Sequence, residues 1–384
     1  MATQQHKILF VDHTAVMGGA ELSLLDLATA YAETSKVLLF NDGAFRHRLE
    51  MAGVKVNIAQ ASSKMLNLRT SGGLNSLATI PELWQIAGLI AQEAKDYELI
   101  VANSQKAFIT SALATLRGSP PVVWHLRDIL TAKHFSKMNR LVAVFCANRL
   151  ATKVLVNSQA TGQAFVAAGG NPKLLNVVYN GFDSGRFDTV AIQDIKQVRE
   201  RLGIGNAPLV GLFSRFSYWK GQHILLEAVK ELPQVQVILV GKALFGEEEY
   251  VSELKTLTAM PELRGRVHWL GFRDDIPTLM KACDIIVHTS TEPEPFGRVI
   301  VEGQLAQKPV IASAAGGVLE LIEDGVNGYL FPPKNAIALR QLIQKLIEDQ
   351  HLAQTIAQQG YTTAKYNFAW STILASFAQA IASV

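Results

Sequence analysis

The chain has 384 residues, of which 49% are hydrophobic and 18% charged, with a net charge of +3. That length and apolar content suit two domains with full cores. Cys146 and Cys283 stand far apart without ligand spacing, which argues against a disulfide framework or a zinc site and fits a reducing cytosol. No apolar run approaches the roughly 20 residues that span a bilayer.

The elements alternate from start to end. KILFVD (7–12) is apolar on both faces, as a buried parallel strand is, and too short for a signal peptide. After Gly18-Gly19 a helix is expected from about Ala20 to Tyr31. Strands follow at 36–41, 54–58, 99–103, 122–126 and 153–158, with helices between them. Residues 60–75 are rich in Ser, Asn and Gly and read as a mobile loop before a helix at 76–95. The stretch 184–197 reads as a linker leading into a helix. A second series of strands is expected at 207–214, 235–242, 267–272, 284–290, 309–313 and 328–331. The ending, FAWSTILASFAQAIASV, reads as an amphipathic helix. This pattern is that of two α/β halves with parallel sheets, joined near 184–195. Ligands of such sheets bind past the carboxyl ends of the strands, and with two sheets facing one another the cleft is the expected site.

Charge is uneven. Residues 1–184 hold 17 Lys+Arg and 12 Asp+Glu, and residues 185–384 hold 19 and 21. Within 101–173 there are nine basic residues and one acid, Asp128. Lys133, Lys137, Arg140, Arg149 and Lys153 sit there among apolar residues, which is either a solvated helix face or a basic amphipathic surface for anionic lipid or an anionic acceptor. Aromatic residues are not interleaved with the cations, so no nucleic-acid partner is expected.

Several motifs fall just past expected strand ends. TEPEPFGRVIVEG (291–303) sets Glu294 on a loop and Glu302 in the following helix, with Phe296 and Gly297 between. A glycine beside a helix start is a place for phosphate, and a carboxylate on each side could hold the hydroxyls of a sugar and a ribose. Gly18 and Gly19 open the first helix, without the dinucleotide fingerprint. Arg215 and Lys220 form a candidate pyrophosphate clamp, one a fork and the other a point charge. His125 ends a buried strand, either as a satisfied core residue or as a partner for a substrate hydroxyl or developing charge. Gly316-Gly317 opens another helix. No Ser-His-Asp order, HExxH, Walker loop or carboxylate metal cluster is present.

Taken together these residues resemble the retaining glycosyltransferases of family 4. Glu294 and Glu302 match the E-x7-E motif, Arg215 and Lys220-Gly221 the phosphate clamp, and Gly18-Gly19-Ala20-Glu21 the N-terminal turn. Asn180-Gly181-Phe182-Asp183 and His125 also match. The resemblance implies a GT-B architecture: two Rossmann-like α/β domains facing across a cleft, with a C-terminal helix crossing back to the N-terminal domain. It implies an acceptor domain at 1–185 joined by a helix at about 366–384, and a nucleotide-sugar domain at 195–365. It further implies that Glu294 holds the sugar, Glu302 the ribose, and Arg215, Lys220 and the backbone at Gly297–Val299 the diphosphate. Arg273 and Asp275 would border the base, and Gly18, Gly19, Gly241, Phe296 and Arg298 would complete the donor site. Lys242 stands where an acid is frequent, so the base pocket departs from the usual pattern, and Gly303 stands where alanine is common; neither departure removes a clamp group.

The implied reaction is transfer of a hexose from a nucleotide-sugar to a hydroxyl of a glycan or lipid-linked acceptor, with retention, in polysaccharide or glycolipid synthesis. UDP-glucose is the expected donor, with GDP-mannose and UDP-N-acetylglucosamine as alternatives. No cofactor and no metal are expected, because Arg215 and Lys220 would serve the leaving group. The expected location is the cytoplasm, with peripheral contact at the inner membrane face through the basic segment. A nucleotide-sugar epimerase, a phosphorylase, a dinucleotide oxidoreductase and a non-catalytic binding protein remain as alternatives.

Overall fold

A computed structural model describes residues 6–66, 80–132, 135–244 and 246–384. The expected loop at 60–75 and helix at 76–95 lie partly outside these residues, as does Lys133. Within them, Ser63–Leu66 and Ile80–Glu93 are helical.

The chain divides into two compact units, Met1–Gly181 with Ile373–Val384, and Phe182–Thr372. The first holds seven strands: β1 (Ile8–Asp12), β2 (Ser35–Leu39), β3 (Lys55–Ile58), β4 (Leu99–Ala102), β5 (Val122–Leu126), β6 (Ala151–Val156) and β7 (Leu175–Val177). They pair in parallel in the order β3-β2-β1-β4-β5-β6-β7. The second holds β8 (Leu209–Phe213), β9 (Gln236–Val240), β10 (Val267–Gly271), β11 (Ile285–His288), β12 (Val310–Ser313) and β13 (Tyr329–Phe331). Their order is β10-β9-β8-β11-β12-β13, also parallel.

The apolar runs explain the central strands. Every residue of β1, β4, β5, β8, β11 and β12 is buried, because helices cover both faces of a parallel sheet. Strand β7 carries no such run. It has three half-buried or exposed residues and exists through pairing to β6 at the sheet edge, which is why periodicity does not announce it. In the stretch expected as a linker, Gly185–Asp188 forms one helical turn and Ile192–Leu202 a helix.

Aromatic packing closes each core. Trp124 on β5 stacks on Phe108 at 4.4 Å and meets Phe165 edge-on at 6.2 Å. In the second unit Phe216 meets Trp269 edge-on at 5.3 Å. The final helix, Trp370–Ile381, belongs to the first unit from Ile373 onward. Its Phe377 is fully buried, edge-on to Tyr31 at 5.8 Å and stacked with His125 at 6.3 Å.

Each sheet has one point where the strand order reverses. The chain winds outward from β1 to β3 and returns to the other side of β1 with β4. It does the same from β8 to β10, returning with β11. Loops leaving the paired strands diverge at such points and leave a crevice at their carboxyl ends.

Candidate active site

The reversal point of the second sheet gathers most of the motif residues. Past β8 the chain forms a three-residue turn, Tyr218–Lys220, and Gly221 then takes φ +69 before the helix Gln222–Val229. A Cβ at Gly221 would run into the carbonyl oxygen of Thr289, so glycine lets this loop lie directly on the exit of β11. Thr291 N–H donates to Trp219 O at 2.7 Å, and Thr289 Oγ1 to Lys220 O at 2.9 Å. The fully buried Gln222 donates back to Ser214 Oγ and Arg215 O. These bonds carry Lys220 across from β8 to the β11 loop.

That loop is pinned from its other side. Gly317 N–H donates to Glu294 O at 2.8 Å. Gly316 takes φ +71, and a Cβ there would collide with Glu294 backbone. The Gly-Gly turn after β12 therefore acts on Glu294 through close backbone approach.

The side chain of Glu294 is held at one oxygen. Its Oε2 accepts from Lys220 Nζ at 2.7 Å, from Ser290 Oγ at 2.9 Å and from His288 Nε2 at 3.2 Å. Burial pushes the Glu294 carboxyl up, but the Lys220 charge and the His288 and Lys220 hydrogen bonds outweigh it and hold the group well below the usual carboxylate range. Glu294 is thus an oriented, ionised acceptor. Burial pulls the Lys220 ammonium down, Glu294 holds it up, and Arg215 adds to the depression. Nδ1 of His288 is buried without a hydrogen-bond partner. In the sequence His288 and Ser290 read as the end of an apolar strand and not as site residues. The polar run His-Thr-Ser at a strand terminus is the signal that could have found them.

Lys220 and Arg215 both flank Trp219, with Lys220 Nζ 4.0 Å and Arg215 Cζ 5.5 Å from its ring centroid. Arg215 Nη1 lies 3.6 Å from Glu247 Oε1, and Glu247 also accepts from Ser217 Oγ at 2.7 Å. Each cation therefore already faces a carboxylate. Gly297 is the N-cap of the helix Arg298–Leu305, and no side chain caps that helix start. Arg298 stacks over Phe182 at 4.6 Å and reaches Glu302 Oε1 at 3.5 Å, while Phe182 also stacks with Phe296 at 6.3 Å. Val299 lies in the first turn of that helix.

The expected base-side residues lie toward the sheet edge. Arg273 binds Asp275 with two bonds of 2.8 and 2.6 Å just past β10. Gly241 follows β9, and its N–H donates to Gly271 O at 2.8 Å. Two strand spacings, about 10 Å, separate β10 from β8. The Lys242 ammonium stands 5.3 Å from the Phe272 ring.

The first sheet places His125 and Gly18-Gly19 in its own unit. His125 is 2% exposed. Its Nδ1 faces Arg127 Nη2 at 3.2 Å, and its Nε2 is buried without a partner. Burial first, and the Arg127 charge second, hold its pKa well below the ordinary value, so the ring is neutral. A neutral ring suits hydrogen bonding to a hydroxyl and not the carrying of charge. Around the β1–β4 reversal point a polar network joins Asp12, Asn103, Arg127 and Asn180: Asn103 Nδ2 donates to Asp12 at 2.7 Å, and Arg127 donates to Asn103 at 3.1 Å and to Asn180 at 2.6 Å. Gly18 is the N-cap of the helix Gly19–Ala30, and Glu21 stands at its third position. Burial, with the Asp12 charge behind it, pushes the Glu21 carboxyl up to about 8. Past β2 and β3 a pocket of about 500 Å³ is lined by Asn41, Asp42, Arg46, Asn57 and Gln60, among others. Among the described residues no group of three or more His, Cys, Asp or Glu is placed to hold a metal ion, and no helix is long and apolar enough to cross a membrane.

Residues 194–363 match the family model described as glycosyl transferases group 1, and residues 18–181 match that of the glycosyl transferase 4-like domain. Over the full chain, the crystal structure of Anabaena HepE, solved in complex with UDP-glucose, is 45% identical, with 99% of this chain and 100% of that one covered and a TM-score of 0.90. The chain belongs to the group 1 glycosyltransferases. Its two Rossmann-like parallel sheets are those of the GT-B fold, and it is a glycosyltransferase that binds a nucleotide-sugar. Spore coat protein SA of Bacillus subtilis is 29% identical over 62% of this glycosyltransferase and 67% of its own length. The core-biosynthesis glycosyltransferase LpsE of Rhizobium meliloti is 32% identical over 46% of this chain and 51% of its own, so the match spans about half of that relative. WaaG, at 16% identity and a TM-score of 0.73, shares the fold.

Proposed function

We propose that this glycosyltransferase moves glucose from UDP-glucose to a hydroxyl of a glycan or lipid-linked acceptor, with retention at the anomeric carbon and without a divalent metal. The observation that carries the reading is Glu294, ionised and anchored through Oε2 by Lys220, Ser290 and His288. With one oxygen tied, the other is left to accept from sugar hydroxyls. The UDP-glucose and UDP complexes of the 45% identical Anabaena HepE support the choice of donor. The lipopolysaccharide role of LpsE supports a polysaccharide acceptor. The open polar pocket at the ends of β2 and β3, which includes Asp42, Arg46 and Gln60, supports acceptor binding in the first unit, and Glu302 on its helix supports ribose binding.

In this mechanism the bond from the anomeric carbon to the UDP oxygen breaks, and the acceptor oxygen attacks on the same face. The acceptor proton passes to the departing diphosphate oxygen. Positive charge grows on the sugar ring and negative charge on the diphosphate. Arg215 and Lys220 meet the second of these, doing what a metal does elsewhere. Lys220 is shared with Glu294, so its ammonium joins the sugar end of the site to the phosphate end.

The test is incubation with UDP- and GDP-sugars plus acceptor extracts, with and without chelator, following nucleotide release and the anomer formed. UDP release from UDP-glucose, unaffected by chelator and giving the retained anomer, is expected. Preference for GDP-mannose or UDP-N-acetylglucosamine would move the donor assignment. Binding without turnover would mark a non-catalytic nucleotide-sugar protein.

A further inference from the structure

The helix Lys137–Leu150 buries the smaller of its two apolar faces. Ala143, Val144, Cys146 and Ala147 point into the first core. Met138, Leu141, Val142 and Phe145 face outward, with exposures of 64%, 50%, 39% and 63%. Their spacing of three, four and seven residues puts them on one helical stripe. Scattered exposed apolar side chains are ordinary, but a continuous stripe richer in apolar surface than the buried face of the same helix is not.

Charge identifies what covers it. Lys137 and Arg149 are exposed at the two ends of the helix, and Arg140 is half-buried beside the stripe. The Arg149 guanidinium lies 5.8 Å over the Phe145 ring, so cation and apolar surface are one patch. The helix has no acid, and Asp128 is the single acid of residues 101–173. A stripe of bulky apolar groups on a helix whose charged residues are all cations matches the interface of an anionic membrane: acyl chains for the stripe, headgroup phosphates for the cations.

We infer that the exposed stripe of helix Lys137–Leu150 is a docking surface for an anionic lipid membrane. The helix starts at the carboxyl edge of the first sheet, following β5, where ligands of that sheet bind. Docking there brings that edge to the lipid surface. This purpose rests on the acceptor reading given above; the docking itself does not.

Cosedimentation with vesicles tests it, using about three parts phosphatidylcholine to one of phosphatidylglycerol against pure phosphatidylcholine. The full chain is expected to bind the mixed vesicles at low salt, more weakly at high salt, and the neutral vesicles poorly. Leu141→Asn with Phe145→Ser, and separately Lys137→Glu with Arg149→Glu, should each weaken binding about tenfold or more. Both double variants should keep wild-type melting behaviour and nucleotide release in solution, and Tyr366→Ser, exposed in the other unit, should bind as the wild type. Failure of the wild type to bind mixed vesicles, or wild-type binding by the stripe variants, overturns the inference. So does a wild-type dimer that the stripe variants convert to monomer while vesicle binding is absent, since a second copy then covers the stripe. Vesicle binding with no nucleotide release from any sugar would leave the docking surface standing and remove the donor reading instead.

Discussion

Glu294 shows how a single carboxylate becomes a tool. Three donors at Oε2 fix its direction and its charge. A hydrogen bond to a charged group contributes about 1.5–3 kcal/mol. Ser290→Ala should therefore lower the melting temperature and, by loosening Glu294, lower kcat/KM for the donor about tenfold, as a thermal melt beside steady-state kinetics would report. Lys220→Ala and Arg215→Ala remove clamp charge and should each cost about 3 kcal/mol of transition-state stabilisation, about a hundredfold in turnover. Near-normal turnover in both variants would falsify the clamp. Glu21 gives a pH prediction of known sign. Its ordinary value is 4.5 and its folded value about 8, so between these the folded chain keeps a proton the unfolded chain has released. Its contribution to stability is therefore greatest below 4.5 and is lost as pH rises toward 8. Glu21→Gln stays neutral throughout, so its melting temperature should gain on the wild type across that window and level off above it. A gap that stays constant with pH would show that Glu21 is ionised in the folded protein.

At the scale of elements, the site depends on loops held by backbone. Gly221 and Gly316 serve by lacking a side chain where one loop touches the next. Gly221→Ala would force a strained φ and push the Lys220 turn off the β11 exit. Donor affinity should drop well beyond the roughly 1 kcal/mol usual for a surface glycine, while the far-UV spectrum is kept; calorimetric titration with UDP would show it. The β8 and β11 runs are apolar enough to be read from sequence. That the β8 loop lies across the β11 loop is not, because it arises from strand order.

For the whole molecule, donor choice is a matter of linkage. A ligand at about one hundred times its dissociation constant stabilises the folded state by about 2.7 kcal/mol. UDP and UDP-glucose should raise the melting temperature more than GDP or GDP-mannose do; the reverse order would reassign the base pocket around Gly241, Lys242 and the Arg273–Asp275 pair.

The amino-acid sequence by itself determined the class of fold, because buried parallel strands require long apolar runs and helices alternate between them. Twelve of the strands in both sheets are legible as short β-type runs, and Arg215, Lys220, Glu294 and Glu302 stand out through motif spacing. Strand β7 was not legible, since an edge strand of three residues draws its order from its neighbour. Only the tertiary structure decided that Lys220 and Glu294, seventy-four positions apart in the chain, form one ion pair. It also decided that His288 and Ser290 orient the carboxylate, and that the more apolar face of Lys137–Leu150 points outward. These are facts of strand order and of which surface a core leaves uncovered, and neither has a local signature along the chain.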